Sequence, residues 1–190
     1  RDNCGVSPLK DGGKMHSEPQ DKANILNRQY ESVFTREDTS NIPTPEGLPF
    51  PTMPDIDITT KGICSLLRKL NPQKATGPDS IPARILKETA DQCAPFLTII
   101  YRKCLASGGI PKVWRTANVS AIFKKGDRFR ASNYRPVSLT CICCKMLEHV
   151  VVSNIMRHLD THNILTDSQH GFRRGRSCET QVLTLTEALS

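Results

Sequence analysis

Between residues 112 and 135 the chain carries Lys112, Arg115, Lys124, Lys125, Arg128, Arg130 and Arg135 against a single acid, Asp127. A second basic cluster, Arg173, Arg174 and Arg176, follows in a glycine-bearing stretch. Lysine supplies a compact charge and arginine a planar fork, and the combination suits phosphate oxygens. Lys124 and Lys125 stand at a turn and Arg135 on the segment returning from it, so three cations surround one edge. A triphosphate or a nucleic-acid backbone would fit there. The same charges would also serve simply to keep a sheet edge soluble.

A metal pattern is also present. Cys141, Cys144, His158 and His162 have the spacing of a two-Cys, two-His zinc site. A finger needs a short hairpin between cysteines and helix, with a core aromatic after the second cysteine. Residues 145–157 hold neither an aromatic nor a turn, and Leu147, Val151, Ile155 and Leu159 recur at every fourth position, as on one buried helix face. Zinc is therefore not expected. Nor do the carboxylates gather: Asp79, Asp91, Asp127, Asp160 and Asp167 are scattered, and no two aspartates are adjacent.

These residues need elements to hold them. Ser17 to Gln20 reads as a capping box with proline in the first turn, and Leu26, Tyr30, Val33 and Phe34 form a helical stripe behind it. Pro43, Pro45, Pro49, Pro51 and Pro54 make 39–58 a linker. Thr60 caps a second helix with Ile63, Leu66, Leu67 and Leu70 inward, stopped at Asn71-Pro72. Pro82 opens a third with Ile85 and Leu86 inward, and Pro95 a fourth with Leu97, Ile100, Tyr101 and Leu105 inward, ended by Gly108-Gly109. Ala117–Phe123 and Tyr134–Leu139 alternate as two strands of a hairpin carrying the lysines at its turn. A long helix over 141–160 follows, and Ser177 starts a last one with Val182, Leu185 and Leu189. Helices with one basic hairpin make an α+β fold.

The 190 residues suit one domain or one and a half, with 37% hydrophobic and 24% charged residues, a globular balance on the polar side. The net charge of +7 is unevenly spread. Residues 1–60 hold 6 basic against 10 acidic side chains, and residues 61–190 hold 20 against 9, a basic body that attracts polyanions. The longest apolar runs, such as Ala94–Tyr101, fall short of a membrane span, and no signal segment opens the chain. The eight irregularly spaced cysteines read as reduced thiols inside the cell. A start at Arg1 and a stop at Ser190 within a helical pattern suggest a fragment.

Six segments occur in a telling order: Lys74-Ala-Thr-Gly-Pro-Asp79, Gly109-Ile-Pro-Lys-Val-Trp114, Ile122-Phe-Lys-Lys-Gly-Asp127, Asn133-Tyr-Arg-Pro-Val-Ser-Leu-Thr140, Lys145-Met-Leu-Glu148 and Gln169-His-Gly-Phe-Arg173. The series resembles the amino-terminal part of the reverse transcriptase of LINE-like, non-LTR retrotransposons of the jockey-like kind. The likeness is strong over about 60–190 and looser over 8–40. It implies a division into 1–38, a helical region joining an upstream endonuclease to the polymerase; 39–58, a Pro-rich linker; and 59–190, a partial reverse transcriptase domain whose strongest motifs span 109–190. The implied architecture is the fingers of a right-hand polymerase with the entry to a truncated palm.

The implied activity is RNA-directed DNA polymerisation with Mg²⁺, on an RNA template and a DNA primer with incoming dNTP, in an element working in nucleus and cytoplasm. Carried over by position, Lys124 or Lys125 would meet the nucleotide's phosphates and Arg135 would flank them. Gln169, Phe172 and Arg173 would line the template path, whereas Gly77 and Gly171 would satisfy backbone geometry and Trp114 would be core. Two-metal transfer needs carboxylates converging on ions roughly 4 Å apart. The family's Ala-Phe-Asp strand and Asp-Asp turn are both missing, so no catalytic residue is expected in this chain and the polypeptide alone should be inactive. The alternative is a catalytically dead, nucleic-acid-binding relic of a mobile element.

Overall fold

A computed structural model describes residues 5–35, 37–40, 42 and 50–189. Pro43, Pro45 and Pro49 of the expected linker lie outside the described residues. The chain forms two compact units, one of Arg1–Pro43 with Ile58–Met146 and one of Thr44–Asp57 with Leu147–Ser190. Helices and two small antiparallel sheets make up the described residues, a mixed α+β architecture.

The first unit opens with a hairpin that the alternation rule overlooks because its strands are three residues long: β1 (Leu9–Asp11) and β2 (Lys14–His16). Gly12 and Gly13 turn it, both with positive φ (55° and 82°), as a two-residue connection demands. Helix α1 (Pro19–Ser32) takes Pro19 in its first turn and Glu18 as N-cap, without a side-chain capping bond. The capping box expected at Ser17 is not formed, because the fixed φ of Pro19 sets the start. Ile25 and Leu26 are buried, but Val33 and Phe34 lie past the helix end, 65% and 78% exposed, so the stripe is shorter than its spacing suggests.

Strands β3 (Asn118–Phe123) and β4 (Tyr134–Leu139) pair antiparallel with Ile122 opposite Arg135 and Phe123 opposite Tyr134. The alternation separates two faces. Ala121, Phe123 and Tyr134 join Leu9, Ile25 and Leu26 in one apolar cluster, where the rings of Phe123 and Tyr134 meet edge to face at 5.6 Å. Ser120, Ile122, Arg135 and Val137 occupy the opposite face.

The helical part of this unit packs α2 (Thr60–Arg68) on α3 (Ala83–Glu88) and α4 (Ala90–Ser107). Thr59, one residue before the expected cap, accepts the Gly62 amide at 3.1 Å. Helix α4 begins at Ala90, with Pro95 inside it and not at its start. So near the N-terminus a proline forfeits one helical hydrogen bond without stopping the helix. Ile85, Ile100 and Leu105, expected inward, are 55%, 38% and 37% exposed, and Ala83, Ala90, Ala94, Thr98 and Cys104 take the buried positions instead. Small residues let the helices approach closely, which a hydrophobic count misses.

Trp114, on a 3₁₀ turn at Lys112–Arg115, is buried and meets Tyr101 edge to face at 5.8 Å. The Tyr101 hydroxyl donates to the Cys143 carbonyl at 2.7 Å. Helix α5 (Ile142–Thr161) is unbroken, so no hairpin separates Cys144 from His158, as a finger would require. Its buried run ends at Leu147; Val151 and Leu159 are half-buried and Ile155 is 39% exposed.

In the second unit, the remainder of α5 leads through a loop to α6 (Cys178–Ala188). Ser177 and Thr180 form a reciprocal capping box at its start, where the serine was expected. Leu147 and His170 are the buried side chains among this unit's described residues.

Candidate nucleic-acid interface

The β3–β4 connection is a ten-residue loop whose shape is set by Asp127. Its carboxylate accepts the Phe129 amide at 2.9 Å, its carbonyl accepts the Asn133 side-chain amide at 2.8 Å, and the Arg130 guanidinium stands 3.7 Å away. Gly126 takes φ 86°, and a Cβ there would come 3.0 Å from Asn133 Nδ2. The Tyr134 hydroxyl donates to the Arg128 carbonyl at 2.8 Å, and the Arg128 guanidinium lies 4.8 Å over the Phe123 ring. Of the loop's two arginines, Arg128 therefore faces the hairpin itself. The Lys10 amide donates to the Phe129 carbonyl at 2.8 Å, docking β1 on the loop.

Lys124 extends β3 by one residue, its amide bonded to the Asn133 carbonyl at 2.8 Å. Strand alternation places it on the face that carries Ile122 and Arg135. Lys125 begins the bend. All three cations are exposed, and among the described residues none has a side-chain hydrogen bond or ion pair within the chain. Charged heads left unpaired on one strand face can neutralise a bound anion without first breaking a bridge.

Gln169, Phe172 and Arg173 sit on the loop before α6 in the second unit. Gln169 is exposed, and Phe172 is fully exposed with φ 59°. Arg173 turns inward: its Nη1 donates to the Thr166 carbonyl at 3.0 Å and its Nη2 stands 4.0 Å from Asp160. Arg176 bridges the Asp167 carboxylate at 3.0 Å and approaches His170 Nε2 at 3.4 Å, while His170 Nδ1 meets the Thr180 hydroxyl at 2.8 Å. Arg174 is exposed and unpaired among the described residues. The sequence carries no signal separating these three arginines, since which of them fold back depends on contacts six to thirteen residues away.

Two glycines behave differently. At Gly77 a Cβ would lie 2.4 Å from the Cys141 amide nitrogen, so the 74–79 loop can abut the β4–α5 junction only with glycine there. At Gly171 a Cβ would meet nothing and φ is not positive; the backbone does not require glycine, and its neighbour Phe172 takes the positive φ instead.

The five aspartates singled out in the sequence each make separate local contacts. Arg68 bridges Asp91 through both oxygens at 2.8 and 2.9 Å and holds its carboxyl below the usual range, while Asp79 caps the Ile81 amide at 3.2 Å. Asp127, Asp160 and Asp167 are engaged as above, and among the described residues no three His, Cys, Asp or Glu side chains gather to hold an ion. No described helix is long and apolar enough to cross a membrane.

Over most of its length the chain is similar to RNA-directed DNA polymerases of jockey-like and other non-LTR retrotransposons. It is 27% identical over 187 residues, 93% of this chain, to the probable RNA-directed DNA polymerase from transposon BS of Drosophila melanogaster. It is 28% identical over 155 residues, 80% of the chain, to that from mobile element jockey of Drosophila funebris, and 29% identical over 123 residues, 64% of the chain, to the jockey enzyme of Drosophila melanogaster. The chain spans 20%, 17% and 13% of those three relatives. No family model matches it.

Proposed function

We propose that this chain is part of an RNA-directed DNA polymerase of a non-LTR retrotransposon, supplying the fingers that hold template and incoming nucleotide. The observation that carries the reading is the outer face of the β3–β4 hairpin. There Lys124 and Arg135 share a strand face beside Lys125, unpaired, in a chain similar to such polymerases. In this reading Lys124 or Lys125 neutralises the triphosphate of a dNTP, and Arg135 forks onto it from the returning strand. Gln169 and Phe172 contact the RNA template, with Arg173 shaping the loop that presents them. Mg²⁺ belongs to the whole enzyme and is held by carboxylates outside these residues, so the 190 residues alone do not extend a primer. A cycle through cytoplasm and nucleus goes with that role.

Equilibrium binding of the chain to single-stranded RNA at a series of salt concentrations tests this. Log affinity should fall linearly with log salt, by about 0.7 for each phosphate neutralised on a single strand. Replacing Lys124, Lys125 and Arg135 together with alanine should flatten the slope by up to about 2. A slope identical to the parent's would remove these residues from the contact surface.

A further inference from the structure

A second contact point lies on the same loop, away from the residues just assigned. We propose that Phe129 is a base-stacking platform for single-stranded nucleic acid and that Lys10 and Arg130 hold the phosphates beside it. The proposal rests on the nucleic-acid reading above and adds a stacking component and a contribution from the amino-terminal hairpin, neither of which follows from the Lys124–Arg135 face.

Phe129 is 46% exposed at the tip of the loop, and among the described residues its ring has no aromatic or cationic partner. Its backbone is nevertheless fixed on both sides: the amide donates to Asp127 Oδ1 at 2.9 Å and the carbonyl accepts the Lys10 amide at 2.8 Å. An aromatic ring that is exposed but carried on an immobilised backbone loses little conformational freedom when a base lies on it. Its neighbours diverge. Arg128 turns back over Phe123, whereas Arg130 is 72% exposed and only loosely associated with Asp127 at 3.7 Å. Exposed pairs of that kind exchange readily for a phosphate.

Arg130 also lines a groove of about 370 Å³ together with Lys10 and Arg28, floored by Ile25 and Ala131. The three cations come from β1, α1 and the loop; the Lys10–Phe129 hydrogen bond ties the loop to β1, and the Arg28–Asp11 bridge ties α1 to β1. Asp11, the acid in that lining, is bridged by Arg28, and the Lys10 ammonium is unpaired among the described residues. A ring for the base with cations for the adjoining phosphates is the combination by which single strands are bound without reading their sequence. A docking peptide would use the ring as a hydrophobic contact and would not need the cations.

Binding of the 190-residue chain to oligouridine across a salt series separates the contributions. Phe129→Ala should weaken binding about tenfold with the salt slope unchanged, since stacking releases no counterions. Phe129→Trp should restore the affinity, and Phe129→Leu should behave like alanine. Lys10→Ala and Arg130→Ala should each lower the slope by about 0.7. Parental affinity in Phe129→Ala, or full rescue by leucine, would overturn the platform. That holds even if the Lys124, Lys125 and Arg135 triple variant shows the loss expected of it, in which case the general reading survives. A parent chain that binds no RNA at any salt would overturn both. Circular dichroism melting of each variant distinguishes lost contacts from lost fold.

Discussion

Gly77 shows how little room a single position can leave. A methyl there would overlap the Cys141 amide at 2.4 Å, and that contact is backbone, which cannot swing aside. Gly77→Ala should destabilise the first unit by about 3 kcal/mol, the upper range for overpacking, measured by urea unfolding. Gly171→Ala, with open space around it, should leave the midpoint unchanged. Glycine in both places was legible in the sequence, but the reason for only one was. Buried Cys143 makes a second claim at this scale. Burial pushes its thiol up to about 12, and burial raises the Tyr101 hydroxyl as well. In the unfolded chain a thiol titrates near about 8.5. Below that value both states keep the proton and the folded chain has its full stability. Above it the unfolded state alone ionises, and each pH unit up to about 12 removes at most about 1.4 kcal/mol. The melting temperature should therefore fall from pH 8.5 to 11, and less steeply in Cys143→Ala.

At the scale of elements, the hairpin β3–β4 and the cap of α6 were the parts most readable beforehand. Alternation from Ala117 and the serine at 177 are local signals, and local hydrogen bonding honours them. The start of α4 was not readable, because Pro95 looks like a first-turn residue unless one knows that Ala90 and Ala94 pack well enough to extend the helix backwards. Nor was the docking of β1. Asp11-Gly-Gly is a hairpin signal, but that its strand would bond to the Phe129 carbonyl is a matter of tertiary contact. Of the candidate residues, the placement of Lys124 and Arg135 on one strand face follows from alternation, whereas the inward turn of Arg173 does not. Ser177→Ala should cost α6 about 1 kcal/mol, read as faster hydrogen exchange at the Thr180 amide. Thr180→Val should cost more, because Thr180 also holds His170.

For the molecule as a whole, the two units differ in what they bury. The first has a helical core and the Leu9–Tyr134 cluster; the second leaves Val182, Leu183 and Leu185 59%, 60% and 54% exposed along α6. Exposed apolar side chains at that density favour association. In sedimentation the average mass should rise with concentration, and Leu183→Gln with Leu185→Gln should suppress the rise. Amide exchange should likewise show the second unit opening at lower free energy than the first.

Trp114 is the chain's single tryptophan, and it is buried against Tyr101 with the Cys144 sulfur 3.7 Å from its carbonyl. Its light emission therefore belongs to the interior of the first unit, on a turn that carries none of the basic residues proposed to touch RNA. Titrating RNA into the protein should leave the emission wavelength where it is, and a red shift would report loss of the core. One cuvette can thus tell a variant that has stopped binding from a variant that has stopped being folded.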